Sequence, residues 1–198
     1  MASELLTTFT LPAPTRPPPV RVFHLPGKHD QKRHGKGATN IGYVEYNDLS
    51  SSQHSMWSLG ERAALYHYTG SGAYPLNSEL REKGDLTPEH ARARDMIDSA
   101  FSKVPALDHT VKVYRGVDNK IYEKLKSADS FVDDGFVSTS RALYGAKSFN
   151  VLEILVPRGT KALFLGNATD YLDEGEVLLP RGTRFKNKGK DLWEIKHS

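Results

Sequence analysis

The chain has 198 residues, a length that suits one domain with a tail and allows a sizeable core. Its 38% hydrophobic and 26% charged residues are ordinary globular values, and its net charge of +3 is too small to indicate a class of partner. The absence of cysteine excludes disulfides, a thiol nucleophile and thiolate metal sites, and no apolar run approaches the roughly 20 residues of a membrane-spanning helix, so no membrane contact is expected.

Residues 1–54 are predicted to form a flexible arm. The segment begins without basic residues or a sustained apolar stretch, which argues against a signal peptide. PAPTRPPPV favours extended polyproline conformations, and residues 21–36 carry five basic side chains against one acid, Asp30. So few apolar side chains cannot offset the entropy lost on ordering. We expect the basic part of the arm to contact phosphate, nucleic acid or a virion protein.

Three histidines of the arm, His24, His29 and His34, are the only residues that suggest a metal site. No cysteine accompanies them, and they lack the spacing of four residues that places two ligands on one helix face. We therefore predict no metal.

A folded domain is predicted over residues 55–198, and it begins with helices. In SLGERAALYHYTG, Ser58 precedes Glu61 by three residues, the spacing of a capping box, and apolar residues recur at helical intervals. In DLTPEHARARDMIDSAF, Thr87 is placed to cap a second helix with Pro88 in its first turn. The sequence therefore predicts an N-terminal helical layer.

From residue 111 the pattern changes to short runs that are typical of strands. The runs are VKVYRG, GFVSTS, VLEILVP, KALFLG, GEVLLP, TRFKN and LWEIK. Turn-forming stretches such as DDG, PRGT and NKGKD separate them. A helical layer followed by a mostly antiparallel β half predicts an α+β domain.

Polar side chains stand at the ends of three predicted strands. They are Arg115 in VYRG, Ser138, Thr139 and Ser140 in FVSTS, and Glu174 and Glu176 in DEGEV. Each group has an ordinary explanation: a surface charge, a turn or helix cap, and a charged strand end. If Glu174 and Glu176 belong to one strand, however, their side chains share a face and repel each other unless a partner or a reaction uses them.

The order Arg, S-T-S, E-x-E resembles the signature of the arginine-type mono-ADP-ribosyltransferases, the toxin-like class that transfers ADP-ribose from NAD. The resemblance runs from about residue 56 to the C-terminus. YTGSGAYPLNSELR is similar to the family's helical element, and EVLLPRGTRF is similar to its typical ending. The resemblance implies a split core of two mostly antiparallel sheets, with NAD in the cleft between them and helices covering one side.

The resemblance also implies roles for the motif residues. Cleavage of NAD develops positive charge on the ribose, as in glycoside cleavage, so a carboxylate is expected beside it. That carboxylate would be Glu176, oriented by Ser138, while the planar guanidinium of Arg115 would hold phosphate. Glu174 would face the acceptor. Glutamate at this position is typical of the arginine-specific members, because a carboxylate can both bind and deprotonate a guanidinium.

Further residues are assigned by the same resemblance. Those assigned to NAD binding, besides Arg115 and Ser138, are Gly116, Thr139, Ser140, Asn77, Arg81 and Phe149; Tyr171 is assigned to the acceptor side. A plain helix face remains an alternative for Asn77 and Arg81. Tyr68 and Tyr74 remain open between core and site, and Trp193 is expected in the core.

Three functions stay open at this point. The first is transfer of ADP-ribose from NAD to arginine of a target protein, without a metal. The second is the same chemistry with RNA, DNA or another side chain as acceptor, or plain NAD glycohydrolysis. The third is a non-catalytic phage structural or binding protein on this fold. PGKHDQKRHG resembles stretches of phage head-morphogenesis proteins, which implies carriage in a phage particle and action in the cytoplasm of a host cell.

Overall fold

The computed structural model describes residues 38–146 and 150–196. Its α-helices within these ranges are α1 (Tyr43–Met56), α2 (Leu59–His67), α3 (Ala73–Glu82), α4 (Pro88–Lys103) and α5 (Asn119–Lys126). A π-helical turn, Tyr68–Gly72, joins α2 to α3, and Gly70 within it has non-helical angles of φ −86° and ψ −109°. Two 3₁₀ turns cover Leu143–Ala146 and Leu172–Glu174.

The strands form one continuous sheet with a weak seam. They are β1 (Thr39–Asn40), β2 (Val111–Val117), β3 (Ser130–Asp133), β4 (Val137–Ser140), β5 (Asn150–Val156), β6 (Leu163–Phe164), β7 (Glu176–Leu179), β8 (Thr183–Gly189) and β9 (Leu192–Lys196). Their order is β3-β8-β9-β5-β2-β4-β7-β6, and β1 pairs with β2. All neighbours are antiparallel except β5 with β9 and β1 with β2. A single residue pair, Tyr114 with Ser140, joins β2 to β4, and we call this junction the seam. The predicted α+β class, with a split and mostly antiparallel core, is confirmed.

Two apolar clusters lie on opposite faces of the three-stranded part, β4-β7-β6. On β7, Val177 and Leu179 belong to the first cluster and Leu178 to the second, as a strand buried on both faces requires. The second cluster holds the helical layer, and its members include Leu65, Leu76, Ile97, Phe101 and Phe136. Each such side chain stabilises the fold by about 1.5–3 kcal/mol relative to exposure.

The helix caps and strand runs predicted from the sequence are confirmed. Ser58 Oγ accepts from Glu61 N at 3.3 Å, and the Glu61 carboxylate accepts from Ser58 N at 2.6 Å. Thr87 Oγ1 accepts from His90 N at 3.3 Å, with Pro88 in the first turn of α4. Every run predicted after residue 111 contains a strand, and Trp193 is buried.

Helix α1 differs from the sequence-based expectation, because the predicted arm extends through residue 54. Its buried residues are Tyr46, Ser50 and Gln53, and two of these are polar without any apolar periodicity. Gln53 donates to Ala162 O and accepts from Phe164 N, both at 2.9 Å, so α1 docks on β6 through hydrogen bonds. The predicted boundary between residues 54 and 55 thus falls inside a packed helix.

Residues 1–37 lie outside the described residues, and with them the three arm histidines. Among the described helices none has the length and apolar character to cross a membrane.

Candidate active site

A cavity of about 200 Å³ opens at the seam between β2 and β4. It is lined by Tyr114, Arg115, Gly116, Ser138, Thr139, Ser140, Gly145, Ala146, Glu174 and Glu176. The fold therefore brings together all three polar groups that the sequence places at strand ends, together with Gly116.

Glu176 is the first residue of β7 and is 8% exposed. Burial raises the pKa of the Glu176 carboxyl from its ordinary value of 4.5 to about 7; a hydrogen bond with Ser138 opposes the rise, and the nearby Glu174 charge adds to it. The carboxyl is therefore partly protonated at neutral pH. A cation held beside it would favour the ionised form, since opposite charge lowers the pKa of a carboxyl.

Ser138 is held in turn by a buried tyrosine of the helical layer. Tyr68 Oη lies 3.2 Å from Ser138 Oγ and accepts from Asn77 Nδ2 at 2.9 Å. Burial raises the pKa of Tyr68 to about 12, so the phenol stays neutral. Asn77 Oδ1 also accepts from Phe136 N at 2.8 Å, just before β4. Tyr68 is thus both a core residue and a neighbour of the site, whereas Tyr74 is exposed.

Glu174 and Glu176 belong to different elements, which are joined by a turn at Gly175. Glu174 ends a 3₁₀ turn, Gly175 is left-handed with φ 55°, and Glu176 begins β7. The expectation that Glu174 and Glu176 share a face of one strand is therefore wrong. A side chain at position 175 would be strained, and its Cβ would lie 2.8 Å from Arg141 Cγ.

Backbone contacts fix the position of Glu174. Ser140 Oγ lies 2.6 Å from Glu174 O and donates to it. A Cβ at Gly145 would lie 2.1 Å from Ser140 Oγ and 2.3 Å from Glu174 O, so this close approach requires glycine. Thr139 donates to Val177 O across the β4–β7 pair. Ser140 and Thr139 thus hold the strand and the turn around the glutamates.

Arg115 lies between this cavity and a larger one. The larger cavity, about 370 Å³, is lined by Arg115 together with Arg81, Lys124 and Asp133 among others. Arg115 Nη1 is 3.1 Å from Asp133 Oδ2, so the two side chains form an ion pair. Burial lowers the pKa of Arg115 and the Asp133 carboxylate opposes this, so the guanidinium remains charged.

Three further sequence-predicted residues, Arg81, Asn77 and Tyr171, do not line the small cavity. Arg81 is on α3 beside the larger cavity, and Asn77 is buried with its amide bonded to Tyr68 and Phe136. Tyr171 is 48% exposed just before the turn that carries Glu174. Phe149 lies outside the described residues. Within the described residues, no group of three His, Asp or Glu side chains is arranged to hold a metal ion.

Three residues around the site were not found by sequence reasoning. Tyr46 of α1 donates to Glu176 O at 2.9 Å, and Asp133 contacts both Arg81 and Arg115. Arg141 makes cation–π contacts with the Tyr43 and Tyr46 rings, with its Cζ 5.3 and 5.7 Å from their centroids. Asp133 belongs to the DDG stretch. An aspartate in such a stretch is typical of a turn, so the sequence does not show whether it also pairs with an arginine. Nothing in the α1 sequence indicates that Tyr46 reaches the site.

Comparison with known proteins agrees with this geometry. The family model described as ADP-ribosyltransferase exoenzyme matches residues 37–196. The chain is 32% identical over 128 residues to the NAD(+)–protein-arginine ADP-ribosyltransferase Tre1 of Serratia proteamaculans, covering 62% of this chain and 27% of that protein. It is 26% identical over 164 residues to the NAD(+)–arginine ADP-ribosyltransferase EFV of Enterococcus faecalis, covering 74% of this chain and 33% of that protein. The chain thus spans about a quarter to a third of these relatives.

The fold has solved counterparts. The crystal structure of C3stau2 from S. aureus with NAD superposes with a TM-score of 0.61 and 24% identity, covering 80% of this chain and 96% of that chain. The likeness shows that the split sheet and the helical layer form a known architecture.

Proposed function

The chain belongs to the ADP-ribosyltransferase exoenzyme family, and we propose that it transfers ADP-ribose from NAD to arginine side chains of a target protein, with release of nicotinamide. The observation that carries the proposal is the buried Glu176, which shares one cavity with Glu174 and Arg115. A strand end with charges only for solubility would leave both carboxylates in water.

The residues of the site fit NAD as a substrate. Arg115 lines the cavity, and its planar guanidinium suits the oxygens of the dianionic pyrophosphate. Glu176 has a carboxyl whose ionised form a nearby cation would favour, which suits a ribose that gains positive charge. Ser138 orients this carboxyl and is itself held by Tyr68.

The proposed reaction is a substitution at C1′ of the nicotinamide ribose. The C1′–N bond breaks, nicotinamide leaves with its electron pair, and the ionised Glu176 stabilises the charge that develops on the ribose. A guanidinium nitrogen of the acceptor then bonds to C1′, and its proton passes to Glu174. Glu174 would also attract the cationic acceptor. The two carboxylates are adjacent because each serves a different cation.

Two substitutions at the paired glutamates test this proposal. Glu176→Gln should lower NAD turnover by about 10²–10³-fold, because it removes the charge that stabilises the ribose cation. Glu174→Gln should lower transfer to free agmatine about 100-fold while nicotinamide release into water persists, because only the acceptor loses its base. The measurement follows labelled NAD into agmatine, host-lysate proteins and free ADP-ribose.

Asp173→Asn is the matched control, since Asp173 lies exposed in the same 3₁₀ turn and outside the cavity lining. It should leave transfer unchanged. Equal transfer to agmatine by the Glu174→Gln variant would overturn the role of Glu174 as the acceptor base. Nicotinamide release by the wild-type protein without label on agmatine or protein would instead favour another acceptor or glycohydrolysis. No NAD turnover by the wild-type protein would leave a binding protein on this fold.

The partner and location are proposed on the same basis. A target protein that presents arginine is the partner, and the cytoplasm of a host cell is where such a protein and NAD meet. We keep the assignments of the remaining residues as proposals: Gly116, Thr139, Ser140, Asn77, Arg81 and Phe149 on the NAD side, and Tyr171 on the acceptor side. Carriage in a phage particle and nucleic-acid contact through the arm depend on residues 1–37, and both remain proposals.

A further inference from the structure

We propose that Asp133 is a positioning residue of the NAD site, which holds the guanidinium groups of Arg81 and Arg115 at the boundary between the two cavities. This inference rests on the proposed function. Asp133 ends β3 and its side chain is 8% exposed, so its charge is withdrawn from water. A buried carboxylate is costly unless it is paired, and this one pairs with the two arginines.

The contacts use both oxygens of the carboxylate. Asp133 Oδ1 accepts from Arg81 Nε at 2.8 Å and from Gly135 N at 3.0 Å. Oδ2 accepts from Arg81 Nη2 at 3.2 Å and lies 3.1 Å from Arg115 Nη1. Arg81 is therefore held by a two-pronged bond with fixed geometry, and Arg115 forms an ion pair with the same carboxylate.

The arrangement requires that helix α3 lie close to the turn before β4. A Cβ at Gly135 would lie 2.7 Å from Asn77 Oδ1 and 3.2 Å from Arg81 Nη2. Asn77 bonds Phe136 N from the same helix. The Asp133–Phe136 turn is thereby clamped to α3, and the carboxylate points at both guanidinium groups from a rigid base.

The positive charges of Arg81 and Arg115 repel each other, and the Asp133 carboxylate compensates both. The side chain of Arg115 is only 18% exposed, and the Arg81 charge acts to lower the Arg115 pKa, which reflects their mutual repulsion. Without the Asp133 charge, Arg115 would be an uncompensated buried cation and would turn towards solvent. With it, Arg115 stays on the wall shared by both cavities, where its guanidinium can face a phosphate group.

Asp133→Asn removes this charge and keeps the size of the side chain. The asparagine Oδ1 still accepts from Arg81 Nε and Gly135 N, whereas the bond from Arg81 Nη2 to Oδ2 is lost. Its Nδ2 would face Arg115 Nη1 as a second donor and push it away. We expect the KM for NAD to rise about tenfold while kcat changes little, because positioning of phosphate contributes to binding and Glu176 performs the chemistry.

A double-mutant cycle with Arg115→Ala distinguishes positioning from a general structural role. If Asp133 acts through Arg115 as well as Arg81, Asp133→Asn should raise the KM by a clearly smaller factor in the Arg115→Ala background than in the wild-type background. Asp98→Asn is the matched control. Asp98 accepts from Arg181 Nε and forms an ion pair with Arg181 Nη2, and neither residue is in the lining of the two cavities. That variant should leave the KM unchanged in both backgrounds.

The outcomes separate the inference from the proposed function. A KM that rises in the wild-type background, and by a clearly smaller factor in the Arg115→Ala background, supports the inference. The inference would be overturned if Asp133→Asn raised the KM by the same factor in both backgrounds. It would also be overturned if the KM fell, because Asp133 would then only compete with phosphate for the arginines. In both cases NAD turnover by the wild-type protein would still support the proposed function. Absence of turnover in the wild-type protein overturns the proposed function itself. If Asp133→Asn does not fold, Asp133→Glu takes its place in the same cycle, because it displaces the carboxylate by one methylene.

Discussion

At the residue scale, the proposed chemistry depends on how the protonation of Glu176 is controlled. Burial and the Glu174 charge both raise its pKa, while Ser138 lowers it. A carboxyl with a pKa near 7 costs less to bury than a permanent charge, and it is still available as a carboxylate once a cation arrives. The site thus keeps an acidic group in a buried position at the wall of the cavity.

The pH dependence of NAD turnover follows from this pKa. The ionised Glu176 is the active form, so kcat/KM for NAD should rise with pH and level off above about 7, the pKa of the carboxyl in the free protein. Glu174→Gln removes a charge that raises this pKa, so the rise should move to lower pH. Rates of nicotinamide release between pH 5 and pH 9, about two units to either side, measure both curves. An acid limb at the same pH in both proteins would contradict the coupling.

At the element scale, polar contacts decide how the helices pack. Glu61 in the first turn of α2 is 2% exposed; its carboxylate accepts from Ser99 Oγ at 2.6 Å and from Lys103 Nζ at 2.7 Å on α4. Burial acts to raise the pKa of Glu61, but the hydrogen bonds from Lys103, Ser99 and Ser58 outweigh it and lower the pKa from 4.5 to about 2. The carboxylate therefore ties α2 to α4 as well as capping α2.

Glu61→Gln should destabilise the protein by about 2 kcal/mol at pH 7, because a buried charged bond network loses its charge. Since the folded-state pKa is lowered, the stabilisation is complete above 4.5 and is lost as the pH falls towards about 2. The difference between variant and wild type should shrink over that range. Urea unfolding at several pH values measures it.

Glu123→Gln serves as the control, because Glu123 forms an exposed ion pair with Lys126 on α5 at 3.8 Å. Such pairs contribute about 0–1 kcal/mol, so little change is expected. A constant difference between Glu61→Gln and wild type from pH 7 down to pH 2, the pKa of Glu61 in the fold, would contradict the assignment of the stabilisation to ionised Glu61.

At the scale of the whole molecule, the site is assembled from parts that are distant in sequence. Most of the cavity lining comes from β2, β4 and β7. Helix α3 and the turn at Asp133 supply the Arg81–Asp133 ion pair, and Tyr46 of α1 donates a hydrogen bond to the Glu176 backbone. Because β2 and β4 meet at a single residue pair, the seam leaves the space that the cavity occupies. The folded domain therefore needs its N-terminal helix for the site as well as for the core.

Truncation tests this view of the domain. A protein that begins at residue 38 keeps every contact described for α1 and should retain its melting temperature and NAD turnover. A protein that begins at residue 57 loses the Tyr46 and Gln53 bonds and a buried tyrosine, and should lose about 3–5 kcal/mol of stability. Thermal unfolding of both truncated proteins measures the difference in their melting temperatures. Equal stability would support the boundary predicted from sequence, between residues 54 and 55.

The sequence by itself determined the local features: the Ser58 and Thr87 caps, the strand runs after residue 111, and the order Arg, S-T-S, E-x-E that indicates the family. These depend on neighbouring residues and on periodicity, which a linear chain displays directly. Only the tertiary structure decided that Gly175 turns Glu174 towards Glu176, that Tyr46 reaches the Glu176 backbone and that Asp133 joins Arg81 to Arg115. Packing brings together residues that are far apart in the chain, such as Tyr46 with Glu176 and Arg81 with Asp133. Helix α1 packs through polar side chains, so its sequence has no periodic pattern of apolar residues from which this packing could be predicted.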